Sequence, residues 1–134
     1  METSFGYTIF YVTDVEATLT FYQNAFGFER RFITPENDYG ELETGVTTLS
    51  FVANELASTN LDAAGGFAPL DPDAAPVGVS ITLVTDDVAA GLEAAEAAGA
   101  TRYTDPTVKP WGQTVAYIRD PNGILVEIGT PVGG

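Results

Sequence analysis

One carboxylate interrupts an otherwise apolar run near the end of the sequence: Glu127, in Ile124-Leu125-Val126-Glu127-Ile128-Gly129. A carboxylate in such a setting needs a partner or a shifted pKa, because burying an unpaired charge is costly. It can ligate a metal, act as a general base with the phenol of Tyr7 or Tyr11 as the acid, or anchor an organic ligand. The metal reading needs further donors, and the chain contains no histidine and no cysteine. The same absence removes thiol and histidine-activated nucleophiles. Ala63-Ala64-Gly65-Gly66-Phe67 is glycine-rich but lacks the lysine and the strand–loop–helix frame of a phosphate loop. Trp111 is the only tryptophan and lies in Pro110-Trp111-Gly112. Proline and glycine beside it can hold the indole exposed for stacking on a flat molecule, or the ring can seal a loop onto the core.

The elements that must position these residues are written twice. Phe10-Tyr11-Val12-Thr13-Asp14 and Thr82-Leu83-Val84-Thr85-Asp86 share Val-Thr-Asp, each followed by an apolar pattern at helical spacing. Strand-like runs precede them, Tyr7–Val12 and Val79–Val84. Asp14 and either Asp86 or Asp87 are suited to cap the helices, which end near Gly27 and Gly99. In the first helix Val15, Leu19, Tyr22 and Phe26 share a face; in the second the narrower stripe is Val88, Leu92 and Ala95. Strand signals follow each helix: Phe28–Ile33, Gly40–Glu43 and Thr47–Ala53, then Ala100–Tyr103, Gln113–Arg119 and Ile124–Gly129. The last two join through Asp120-Pro121-Asn122-Gly123, where proline presets one φ and Asn-Gly tolerates a positive one. Each half therefore reads β-α-β-β-β. Asn54–Gly78, rich in Ala, Gly, Pro and Asp, reads as a long irregular connection that either covers a site or joins the halves. The expected fold is α+β, with paired βαβββ modules forming one curved eight-stranded mixed sheet around a cleft and the helices outside.

With 134 residues and 45% hydrophobic composition, the chain has the size and the apolar content of one globular domain. Acidic residues outnumber basic ones 19 to 5, for a net charge of −14, and Lys109 is the only lysine. Such a surface repels phosphate backbones, so nucleic acid is not an expected partner. It suits a cationic ligand, or a solvated acidic face in high salt, where screening relieves self-repulsion. No apolar run approaches the roughly 20 residues that span a bilayer, and Met1-Glu2-Thr3-Ser4 does not open a secretory signal, so no membrane partner and a cytoplasmic location are expected.

The stretches 12–28, 78–100 and 111–129 together resemble the vicinal oxygen chelate superfamily, which includes glyoxalase I, extradiol dioxygenases and the fosfomycin- and bleomycin-resistance proteins. Phe21-Tyr22 with Phe26-Gly27-Phe28, and the closing Asp120-Pro121-Asn122-Gly123 with Glu127, carry the likeness over about residues 5–130. The resemblance implies paired modules around a cleft and four ligand positions facing it. Those positions fall on Tyr7, Ser50, Ser80 and Glu127, so only the last keeps a metal-ligand type. Two serines, a phenol and one carboxylate make a poor divalent transition-metal site. Glu41 or Glu43 supplies another carboxylate only if the register differs. The expectation is therefore no metal and no cofactor, with Glu127 hydrogen-bonded by Tyr7, Ser50 or Ser80, or idle at a wet edge.

Strand alternation then sorts the lining. Tyr7, Ile9 and Tyr11 share one face, with Thr48, Ser50 and Val52, and in the second half Ser80, Thr82, Val84, Leu125, Glu127 and Gly129. Metal-free resistance members have a similar Trp-Gly segment, where the resemblance implies a ring that can stack on a flat ligand. The expected ligand-binding set is Tyr7, Ile9, Tyr11, Ser50, Ser80, Trp111 and Glu127, with no assigned catalytic residue. The resulting reading is a small-molecule binder sequestering a flat, cationic or neutral aromatic compound, as antibiotic-resistance members do. The family further implies a homodimer. The alternative is a lyase, isomerase or glyoxalase-like enzyme acting on a small oxygenated substrate, with Glu127 as base or residual metal ligand.

Overall fold

The computed structural model describes residues 1–132 and divides into two compact units, residues 1–23 with 27–69, and residues 24–26 with the chain from Leu70 onward. In the first unit β1 (Tyr7–Val12) leads to α1 (Val15–Phe26), then β2 (Glu29–Ile33), β3 (Tyr39–Glu43) and β4 (Thr48–Ala53). The sheet order is β1-β4-β3-β2, with β1 and β4 parallel and the other pairs antiparallel. Asp14 caps α1 as its sequence position predicts, its carboxylate accepting from the Ala17 N–H at 3.0 Å. Gly27 ends the helix in the left-handed conformation, φ 74°. Val15, Leu19 and Tyr22 are fully buried, each worth about 1.5–3 kcal/mol relative to exposure. Tyr22 stacks on Phe51 of β4 at 5.4 Å, and Phe51 on Phe10 of β1 at 6.5 Å. Gly40 lets β3 pass beneath α1: a Cβ there would lie 2.7 Å from Leu19 Cδ1 and 3.0 Å from Val15 Cγ1.

In the second unit β5 (Ser80–Val84) leads to α3 (Val88–Ala97), β6 (Thr101–Arg102), β7 (Thr107–Val108), β8 (Thr114–Arg119) and β9 (Leu125–Gly129). Strands run in the order β5-β9-β8-β6, and β7 also pairs with β8. Asp87, rather than Asp86, caps α3 by accepting from the Ala90 N–H at 3.0 Å. Val88, Leu92 and Ala95 form the buried stripe of α3, and Ala116, Ile118, Val126 and Ile128 are buried in β8 and β9.

The α+β class and the repeated module order agree with expectation. The strands, however, hydrogen-bond as two sheets, of four and five, and number nine among the described residues. The extra strand arises because Pro106 separates Thr101–Arg102 from Thr107–Val108, so two short pieces pair with β8 where one was expected. The connection is not wholly irregular either. Asn54–Leu61 forms α2, packed on β1 and β4 with Ala57 buried, followed by one 3₁₀ turn over Asp62–Ala64. Its single buried residue explains why helical periodicity was invisible there. No helix among the described residues is long and apolar enough to cross a membrane.

Candidate functional site

On the first sheet, the row Tyr7, Ile9 and Tyr11 lies beside Thr48, Ser50 and Val52 through the parallel register of β1 and β4. Tyr7 and Ile9 are exposed, Tyr11 is half-buried, and Ser50 is completely buried. Antiparallel pairing sets Glu41 of β3 directly opposite Ser50. Between them sits Tyr39, whose hydroxyl donates to Glu41 Oε2 at 2.5 Å and lies 3.2 Å from Ser50 Oγ. A phenol has one hydrogen to give, so the Ser50 hydroxyl supplies the hydrogen of the second bond. Burial first, and then the Glu41 carboxylate, hold the Tyr39 phenol above its ordinary pKa.

Glu41 is further engaged by Arg31. Strict alternation would not bring that residue here, but β2 slips register between Arg30 and Phe32, and the additional residue is Arg31. Its Nη1 donates to Glu41 Oε1 at 2.9 Å and Thr48 Oγ1 at 3.2 Å, while Nε and Nη2 grip Glu43 at 2.7 and 3.0 Å. Bidentate guanidinium–carboxylate pairs are the strong form of this contact. Glu43, then Glu41, raise the Arg31 pKa, and Arg31 lowers that of Glu43. Phe32 and Tyr39 have ring centroids 5.7 Å apart.

On the second sheet Glu127 is half-buried and flanked by both of its strand neighbours. Thr82 donates to Oε1 at 2.9 Å and the Tyr117 phenol to Oε2 at 2.7 Å. The expected partners were Tyr7, Ser50 or Ser80. Instead Ser80 pairs with Leu125, two residues short of Glu127, and the parallel register delivers Thr82. The hydrogen bond to Glu127, aided by burial, raises the Tyr117 pKa. Ser80 is exposed on β5, at the sheet edge.

The two modules thus carry related rows. Glu41 and Ser50 occupy the last two strands of the first, where Tyr117 and Glu127 occupy the last two of the second. The acid has moved one strand over in the first module, and in each a tyrosine hydroxyl caps it. Glu41, Tyr39 and Tyr117 lie outside the expected site set because a part-buried acid–tyrosine contact leaves no mark on apolar periodicity. The signal available was Tyr39, Glu41 and Glu43 at alternate positions of one strand.

The donor chemistry does not fit a divalent transition metal. Tyr7, Ser50 and Ser80 offer neutral oxygens, and both oxygens of Glu127 already accept hydrogen bonds. Glu41 has a guanidinium in the place of a cation. Among the described residues no three His, Cys, Asp or Glu side chains gather.

Trp111 is 64% exposed, yet its indole N–H is fixed to Gln113 Oε1 at 2.9 Å. Gln113 Nε2 donates in turn to the Thr130 carbonyl at 2.8 Å. Gly112, φ 94°, makes the turn that permits this. The ring is therefore held without being covered, so it does not seal the loop onto the core.

A family model for the Glyoxalase/Bleomycin resistance protein/Dioxygenase superfamily matches residues 4–128. The chain belongs to that superfamily. Similar proteins include a Brassica oleracea var. gemmifera protein named as a lactoylglutathione lyase, 27% identical over 132 residues. That match takes in 92% of this chain but only 43% of the relative, so the chain spans less than half its length. Solved structures with the same fold include a glyoxalase-related enzyme from Fulvimarina pelagi, at 18% identity and TM-score 0.79, covering 97% of this chain and 89% of that one. A lactoylglutathione lyase from Agrobacterium tumefaciens matches at 23% identity and TM-score 0.68, covering 97% and 95%. Members of the superfamily share a fold but not one chemistry, so the site residues must carry the functional argument.

Proposed function

We propose that this superfamily member is a metal-free binding protein that sequesters a flat aromatic small molecule, cationic or neutral, in the cytoplasm. The observation that supports this reading is the state of the two site carboxylates. Glu41 and Glu127 are each capped by a tyrosine hydroxyl and a second donor, leaving neither free to hold a metal. On the first unit Tyr7 and Ile9 stay exposed, and on the second Ser80 and the held ring of Trp111 do. Exposed aromatic, aliphatic and hydroxyl groups of this kind suit contact with a planar organic ligand. Ser50, being buried, acts through Tyr39. The chain works as one domain and pairs with a second copy; light scattering is expected at twice the 14.1 kDa chain mass, and a value near 14.1 kDa at micromolar concentration removes the dimer.

The test is a titration with flat aromatic antibiotics and metabolites, read by Trp111 fluorescence, first after chelation and then with Mn²⁺, Ni²⁺ or Zn²⁺. Saturable quenching that ignores metal is the expected result. Quenching only with metal, or a metal retained stoichiometrically after dialysis, overturns the reading. A second reading, a lyase or isomerase, is favoured by the Tyr117–Glu127 contact, an acid and a base 2.7 Å apart. It predicts turnover of a small oxygenated substrate that is lost in Glu127→Gln.

A further inference from the structure

Tyr11, the third residue of the Tyr7–Ile9–Tyr11 row, is not bare. The ring of Phe67 meets it edge-on, centroids 4.9 Å apart at 72°. Phe67 reaches it directly after two consecutive glycines in the left-handed region, Gly65 at φ 117° and Gly66 at φ 77°. Their amides are tied to Asp62 and Leu61 carbonyls at 3.1 and 2.9 Å, which fixes the near end. The far end is fixed by Arg119, whose guanidinium is spent on backbone carbonyls rather than on a carboxylate. It donates to Asp71, Pro72 and Ala74 at 3.2, 3.4 and 2.5 Å, and to Gly123 at 2.8 Å. Between these ends, residues 67–70 show no backbone hydrogen bond among the described ones. Phe67 thus opens a stretch without such bonds, its half-buried ring resting on one aromatic contact.

We infer that Phe67 is a displaceable part of the binding face, a gate whose ring a flat aromatic ligand replaces against Tyr11. This rests on the binding reading above. An entering aromatic ring offers Tyr11 the same kind of contact that Phe67 gives up, so the exchange forfeits little. Glycine at 65 and 66 leaves the backbone rotations open that a side chain would restrict. Pro69 stiffens the other side, so the swing occurs after the tied Gly66 amide, between Gly66 and Pro69. Phe67 also selects for shape, because a bulky non-planar ligand cannot take the slot of one ring.

The experiment places 4-fluorophenylalanine at position 67 as the sole fluorine in the full chain. Fluorine relaxation dispersion in the free protein is expected to show microsecond-to-millisecond exchange between two environments. Tyr11→Ala, which removes the partner ring, is expected to move the resonance to the minor, open position. Saturating proflavine, a flat aromatic probe, is expected to move it the same way, and Phe67→Ala to raise the proflavine association rate about tenfold. A single resonance without dispersion in the free protein overturns the gate, as does an association rate unchanged in Phe67→Ala. If proflavine and the wider panel fail to quench Trp111, it is the binding reading that fails, and the dispersion measurement still decides the gate by itself.

Discussion

Tyr39 and Tyr117 perform the same task in the two modules: each phenol satisfies a carboxylate that its strand would otherwise strand against a sheet face. Both are held above the ordinary phenol pKa, Tyr39 chiefly by burial and Tyr117 chiefly by its bond to Glu127. The linkage sign follows. An unfolded phenol ionises near pH 10, roughly, while the folded one retains its proton beyond that, so this stability is present below that pH and is lost as pH rises through the folded values. Urea midpoints are therefore expected to fall between pH 9 and pH 11, roughly, and less steeply in Tyr39→Phe. Glu43 has the opposite sign: its pKa is lowered by Arg31, so its contribution holds above about pH 4.3 and fades as pH falls. At neutral pH, Tyr39→Phe removes the only hydrogen the phenol gives to buried Glu41, and a loss of about 1–3 kcal/mol is expected from denaturant unfolding. No change there would mean that water replaces the phenol without cost.

At the scale of elements, the register slip in β2 and the turn after β8 do most to set the sites. Without the slip Arg31 would not face Glu41 and Glu43. The turn residue Gly123 has φ 92°, and a Cβ on it would lie 2.8 Å from the Pro72 backbone and 2.7 Å from Arg119 Nη2. Gly112 has a nearly identical φ of 94° with nothing within 4 Å. Gly112→Ala is therefore expected to cost only the backbone strain, about 1–3 kcal/mol, and Gly123→Ala distinctly more, since it also forces the connection off Arg119. Thermal unfolding of the two variants separates these terms; equal losses would show that the segment at Pro72 yields freely.

The molecule as a whole carries a net charge of −14, and its arginines do little to relieve its surface. Arg30 is spent on Glu16, Arg31 on Glu41 and Glu43, Arg102 on Glu96 and Asp105, and Arg119 on carbonyls. Much of the remaining acid is therefore unmatched, and its mutual repulsion is screened only by salt. The melting temperature is expected to rise by several degrees between about 0.1 M and 2 M KCl. A flat response would reduce the acidic composition to a solvated surface with no adaptation to salt.

The sequence by itself determined the two modules. Asp14 and Gly27 bracket a helix, the Val88–Leu92–Ala95 stripe marks another, and Asn-Gly after Asp120-Pro121 marks the last turn, because capping, helical period and turn chemistry are local. It also determined which residues share a strand face, so Tyr7, Ile9 and Tyr11 were grouped correctly beside Ser50. Partnership was another matter. That Glu127 takes Thr82 and Tyr117, that Tyr39 joins Glu41 to Ser50, and that Arg31 is turned onto two acids depended on strand register and on a one-residue slip. Phe67 rests on Tyr11, a residue far from it along the chain. Register and chain path are fixed by packing between distant segments, which leaves no periodic trace in any one of them. Only the tertiary structure could decide them.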